Sequence, residues 1–124
     1  MKEIGNTEEW SRSLWRFIHC MCSVYSNTPS ECEKKSAIKF IESLEHILPC
    51  NDCKMHYSNY IKTHNLNDIV SAGQKLETWF FDFHNDVNKR LEKPLLQRHE
   101  FMKMYPRENC KCVKKVNIPP EKKV

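Results

Sequence analysis

Glycine is almost missing from this chain: Gly5 and Gly73 are the only two in 124 residues, and they stand far apart. Rossmann and P-loop phosphate cradles both need clustered glycines, so neither is available. Any nucleotide held here must be held by side chains. Long apolar runs are missing too, since none approaches the roughly 20 residues that cross a bilayer. The opening stretch, Met1 to Trp10, is polar and acidic. It fits neither a secretory signal nor an arginine-rich transit peptide, so the expectation is a protein that stays where it is made. No internal repeat occurs, and no segment alternates well enough to predict a strand.

What remains is a normal globular balance, 40% hydrophobic and 29% charged, in a length that suits one domain. The formal net charge is +4, but seven of the 20 basic residues fall between Lys103 and Lys123. Without them the body is close to neutral. The basic end therefore reads as a solvated tail, and neither a nucleic acid nor a membrane is an expected partner.

Seven cysteines in a chain without a secretory signal point to metal binding or redox chemistry, because reducing compartments disfavour structural disulfides. The surrounding pattern is helical. Trp10, Leu14, Phe17, Ile18, Met21 and Tyr25 recur at spacings of three and four and predict a first helix. The cluster Ser26-Asn27-Thr28-Pro29-Ser30 ends it. Ser30 with Glu33 predicts a capping box for a second helix, with Ala37, Phe40, Ile41, Leu44, Ile47 and Leu48 facing inward. A third helix is expected to begin at Pro49 and to carry Tyr57, Tyr60 and Ile61, stopping in His64-Asn65-Leu66-Asn67-Asp68. A fourth carries Leu76, Trp79, Phe80, Phe83, Val87 and Leu91, and a short fifth is expected from about Leu95 to Met104. The predicted fold class is all-α, a four-helix bundle with a short fifth helix. Residues 1–105 form the domain and 106–124 a flexible basic tail.

Cys50-Asn51-Asp52-Cys53 is a CxxC at the predicted start of the third helix. Cysteines at i and i+3 in a first helical turn lie close enough to form a disulfide, and the helix dipole favours a thiolate there. Half of a zinc site is the competing reading, with further ligands from His56, His84, Cys110 or Cys112; that chain would be a zinc-stabilised helical binding module. The single residue between Cys110 and Cys112 is short for a zinc knuckle. Cys20 and Cys22 point in different directions on one helix, and with Cys32 they read as buried free thiols.

Three blocks of the sequence resemble the Erv/ALR family of FAD-linked sulfhydryl oxidases. The first is Trp10-Ser11-Arg12-Ser13-Leu14-Trp15-Arg16-Phe17-Ile18-His19, similar to the family's WGxxxWxxLH. The second is Leu48-Pro49-Cys50-Asn51-Asp52-Cys53 followed by His56-Tyr57, similar to its PCxxC helix start. The third is Phe83 to Leu91, which resembles its HNxVNxxL signature. The resemblance implies a helical bundle holding FAD at one end. It implies that Cys50 meets the incoming dithiol and Cys53 lies against the flavin. Trp15, His19 and Tyr25 would line the flavin or adenine pocket. His84, Asn85, Val87, Asn88, Arg90 and Lys93 would hold adenosine and phosphates, with Arg12 adding a phosphate contact. Trp79, Phe80 and Phe83 are otherwise core residues, although Trp79 is ambiguous.

Two departures from the family pattern stand out. Ser11 replaces its usual glycine, and no cysteine falls between Cys53 and Cys110, so a structural bridge common in cellular members is missing. The trimmed form looks more like members encoded by large DNA viruses. Cys110-Lys111-Cys112 resembles the shuttle pair that some members carry on a tail. The implied reaction takes electrons from protein dithiols, on thioredoxin-like or other clients, through Cys50 and Cys53 to FAD and then to oxygen, giving hydrogen peroxide. A homodimer is implied by the same resemblance. The expected location is the cytoplasm, of a host if the chain is viral, or otherwise the mitochondrial intermembrane space.

Overall fold

Residues 7–107 are described by a computed structural model of the chain. Six helices follow in order: α1 Thr7–Val24, α2 Glu31–Ile47, α3 Asn51–Ile61, α4 Leu66–Ile69, α5 Gly73–Arg90 and α6 Arg98–Met104. No strand occurs among the described residues, so the fold is all-α. The helix α1 packs on α5, and α2 packs on α3, with the one-turn α4 joining both halves through α5 and α2.

The apolar stripes meet in one core. Ile18, Ile41, Leu44, Tyr57, Leu76 and Phe80 are buried, each contributing about 1.5–3 kcal/mol by leaving water. Three residues assigned to inner faces lie outside that core. Phe17 and Ile47 are 57% and 67% exposed, and Leu91 at the end of α5 is 45% exposed. A 3.6-residue period has a finite stripe width, and these three fall on its margin or at a helix end.

Local chemistry sets the helix ends. Ser30 Oγ accepts from the Glu33 N–H at 3.1 Å while Glu33 Oε1 accepts from the Ser30 N–H at 2.8 Å, a complete capping box. At the other end of α2, Leu48 is extended, as the residue before a proline must be, and the helix stops there. Pro49 therefore lies between helices rather than inside α3, and Cys50 is the N-cap. The turn α4 replaces part of the loop expected after α3, because Asn65 Oδ1 accepts from the Asp68 N–H and caps it. A tyrosine corner of sorts closes this region, with Tyr25 Oη donating to the Val70 carbonyl at 2.8 Å.

The stretch just beyond Tyr105 is anchored at its start. The Arg107 guanidinium donates to the carbonyls of Cys22 and Tyr25 at the end of α1. Gly73 makes room for this contact, since a Cβ there would overlap both the guanidinium and the Tyr25 carbonyl. Residue 107, within the segment expected to be loosely held from residue 106, is thus anchored, and residues 108–124 lie outside the described part. No helix among the described residues is long and apolar enough to cross a membrane.

Candidate functional site

A cavity of about 720 Å³ opens between α1, the start of α3, the second half of α5 and the segment leading into α6. Its size lies within the range of small-molecule and cofactor pockets. The fourth wall is made by the chain reversal after α5. Glu92 takes a left-handed conformation at φ 55°, and the Lys93 N–H reaches back to the Asn88 carbonyl at 2.8 Å. Asn85 then clamps the returning strand of chain. Its Nδ2 donates to the Leu96 carbonyl at 3.1 Å, and its Oδ1 accepts from the Leu96 N–H at 2.6 Å. Phe101 and Tyr105 of the α6 segment complete the wall against His19.

One face of the cavity is aromatic. The Trp15 and His84 rings are stacked with centroids 3.9 Å apart and planes 2° from parallel. His19, one turn after Trp15, lies 5.4 Å from it and points Nε2 at His84 Nδ1, 2.7 Å away. Both histidines are held neutral. His19 is pushed down to about 3, first by burial and then by the His84 charge, and His84 to about 4, by burial and then Lys93. His19 Nδ1 and Trp10 Nε1 are buried without a partner. Such groups are costly unless something polar meets them. The rim carries Arg12, Arg16, Arg90 and Lys93.

This histidine pair gives a pH signature. A group whose folded pKa is depressed contributes stability above its unfolded value, and loses it as pH falls toward the folded value. The expected window runs from 6.5 down to about 4 for His84 and about 3 for His19, where unfolded histidines take up protons that the folded pair refuses. Thermal melts of the protein should fall over that window by an amount on the order of a few kcal/mol, and His84→Asn should flatten the slope. A variant as pH-sensitive as the parent would contradict it.

The Cys50 and Cys53 side chains open into the same cavity. Cys50 caps α3, and its Sγ accepts from the Cys53 N–H at 3.3 Å. The hydrogen bond from the Cys53 thiol lowers the Cys50 pKa, and the N–H groups of Cys53 and Asp52 lower it further, against burial and the Asp52 charge. Burial raises Cys53, and Cys50 adds to that, while the Arg90 guanidinium pulls it down. Cys50 is therefore the readier thiolate and Cys53 the sulfur that keeps the proton. Both cysteines are free thiols in this structure.

Most of the residues singled out in the sequence come together here. Arg12, Trp15, His19, Cys50, Cys53, His84, Val87, Asn88, Arg90 and Lys93 all line the cavity. Tyr25 does not; it lies at the far end of α1, bound to Val70. Asn85 shapes the wall through Leu96 without lining the cavity. Cys110 and Cys112 lie outside the described residues. Of the three cysteines read as buried free thiols, only Cys22 is buried and free. Cys32 is exposed, and Cys20 is exposed and disulfide-bonded. Trp79 belongs to the core, as do Phe80 and Phe83, but the last two also border the cavity.

His56 emerges as a residue of this site. Its Nε2 donates to Asp86 Oδ2 at 2.5 Å, bridging α3 to α5, and it lines the cavity beside Cys53. The signal was present as the third residue after Cys53, one helical turn on. Of the ligands named for zinc, His56 bonds Asp86 through Nε2 and His84 bonds His19 through Nδ1, while Cys110 and Cys112 lie outside the described residues. Among the described residues no group of three or more metal-ligating side chains comes together.

These features suit a large planar cofactor with two phosphates: an aromatic wall, unpartnered buried polar atoms, cations at the rim and a volume that matches. Several known proteins are similar to this chain. The chain is 34% identical over 96 residues to a protein of Invertebrate iridescent virus 3, an alignment covering 77% of this chain and 65% of that one, just under two thirds of the relative. It is 33% identical over 96 residues to an FAD-linked sulfhydryl oxidase of African swine fever virus, covering 77% of this chain and 79% of that protein. Its structure is similar to the crystal structure of the FAD binding domain of Erv1 from Saccharomyces cerevisiae, with a TM-score of 0.74 and 29% identity, over 81% of this chain and 93% of that one. A sequence model of the Erv1/Alr family matches residues 12–106, and the chain belongs to that family.

Proposed function

We propose that this chain is an FAD-dependent thiol oxidase that makes disulfide bonds in protein substrates. The single observation that carries this reading is that Cys50 and Cys53, at the cap of α3, open into the same cavity as the Trp15–His84 stack and four rim cations.

A substrate thiolate attacks the Cys50–Cys53 disulfide at Cys50 Sγ, the sulfur at the helix cap, and Cys53 leaves. Resolution by the second substrate thiol releases oxidised substrate and leaves Cys50 as the stabilised thiolate. Arg90 stands by the departing Cys53 sulfur, in addition to or in place of the phosphate contact that the resemblance implies. Trp15, His19 and His84 offer the ring face, Arg12 and Lys93 offer charge for phosphates, and Val87 and Asn88 form the floor. When bound, FAD supplies the two-electron acceptor that restores the disulfide and passes the electrons to oxygen, giving hydrogen peroxide.

The substrates are protein dithiols, with thioredoxin-like clients as one class. Cys110 and Cys112 form the tail shuttle, which takes electrons from protein dithiols and passes them inward. A second copy of the chain packs on α1 and α2, where Phe17 and Val24 stand exposed and Phe17 touches Phe40. The cytoplasm is the working compartment, a host cytoplasm or virion if the chain is viral; likeness to viral relatives supports this over the mitochondrial intermembrane space.

Oxygen uptake and peroxide release with a small dithiol and with a reduced protein substrate test the reaction. Replacing Cys110 and Cys112 together by serine should spare small dithiols and slow the protein substrate by about tenfold or more. Equal loss with both substrates would rule out the shuttle. No peroxide from either, in FAD-loaded protein, would rule out the oxidase reading.

A further inference from the structure

The disulfide chemistry leaves one proton unassigned. For the pair to give up two electrons, both sulfurs must shed their protons, yet Cys53 is the one that burial and its neighbour keep protonated. A base near Cys53 has to accept that proton.

His56 is placed for it. It follows Cys53 by three residues on α3, so the two share a helix face with Cβ atoms about 5–6 Å apart. Both line the cavity. Nε2 is committed to Asp86 Oδ2 at 2.5 Å, which fixes the tautomer: Nε2 carries the hydrogen and Nδ1 keeps its lone pair. That Nδ1 is buried and has no partner. The ring is further held by Phe83, 5.3 Å away, and its side chain is only 17% exposed. A fixed imidazole, oriented by a carboxylate and keeping one buried ring nitrogen without a partner in a side chain that lines the thiol-bearing cavity, is a general-base arrangement.

We propose that His56 accepts the Cys53 proton, with Asp86 as its positioning residue, and this rests on the thiol-oxidase reading above. In the step, the Cys53 S–H bond breaks and an N–H bond forms at His56 Nδ1. No electrons change hands; the thiolate is left beside Arg90, and the imidazolium is balanced by Asp86. The sulfur pair then loses its two electrons to the FAD of the proposed reaction. The charged groups around this exchange are Cys50 and Asp52 on α3, Asp86 and Arg90 on α5, Arg12, Arg16 and Glu8 on α1, and Lys93 and Glu100 beyond α5.

The test is the alkylation rate of Cys53 by iodoacetamide as a function of pH, read by peptide mass in the full-length protein as purified. A Cys50→Ser background leaves Cys53 as the one sulfur of the pair. Adding His56→Asn should move the midpoint of the profile up by about one pH unit, making Cys53 about tenfold slower to react at pH 7. Asp86→Asn, at a half-exposed position where folding is not at stake, should shift it in the same direction by less, and Asp86→Glu should restore the parent curve. Superimposable curves for parent, His56→Asn and Asp86→Asn would overturn the proposal. Because alkylation needs no turnover, that result is distinct from a failure of the oxidase reading, which would show as the absence of peroxide.

Discussion

Cys53→Ser should abolish thiol oxidation while leaving the protein folded and yellow. Cys53 is half-buried at the inner end of the pair, with its N–H capped by Cys50 and its sulfur facing the cavity. Serine preserves size and the backbone hydrogen bond, so α3 is undisturbed. What disappears is the sulfur that must leave when Cys50 is attacked and that must then pass electrons onward. Neither of the other free cysteines in the described structure substitutes: Cys22 is fully buried, and burial raises its pKa far above the thiol range, while Cys32 stands exposed on α2 and does not line the cavity. Turnover with a small dithiol should fall by about a thousandfold or more. Cys50→Ser should be equally inactive toward protein dithiols. Steady-state oxygen consumption measures both.

The second large effect concerns flavin retention. Trp15 lies flat on His84 at 3.9 Å and packs near His19 and Phe83, so it is the largest part of the aromatic wall. Trp15→Ala removes a surface worth about 3–5 kcal/mol where fully buried, and this half-buried ring should be worth rather less. The expected outcome is flavin affinity reduced by about a hundredfold. Trp15→Phe keeps a ring in place and should lose about tenfold. Flavin release followed by fluorescence, with circular dichroism as the folding control, gives the ratio. Unchanged affinity in Trp15→Ala would show that the ring is structural only.

Much of this site was legible in the chain because helical periodicity and motif spacing report the same geometry. Cys50 and Cys53 fall in a first turn because Pro49 forces Leu48 extended and ends α2. His84, Val87 and Asn88 share a face of α5 by simple spacing, and Trp15 and His19 share one of α1. What the sequence concealed depends on where non-helical chain goes. Asn85 looks like a ligand residue within the HNxVNxxL block, yet its amide is used up on Leu96, because the reversal at Glu92 brings the chain back across α5. Tyr25 continues the stripe of α1 but reaches past the last turn to Val70, a contact set by the one-turn α4 that no period could reveal. Arg107 reads as one more charge in a basic tail, and only Gly73, 34 residues earlier, hints that something must pass close by. His56 was visible as part of the PCxxC block and as a possible metal ligand, but not as a partner of Asp86, which lies 30 residues away on another helix.

The central physical claim is that a thiol pair at a helix cap shares one cavity with a side-chain-held flavin. The absorbance spectrum of the purified chain, followed through anaerobic addition of a dithiol, tests it most directly. Bands near ~450 nm, bleached by the dithiol in wild type but not in Cys53→Ser, are the expected result. A folded, colourless protein that takes up no FAD when it is supplied would contradict it.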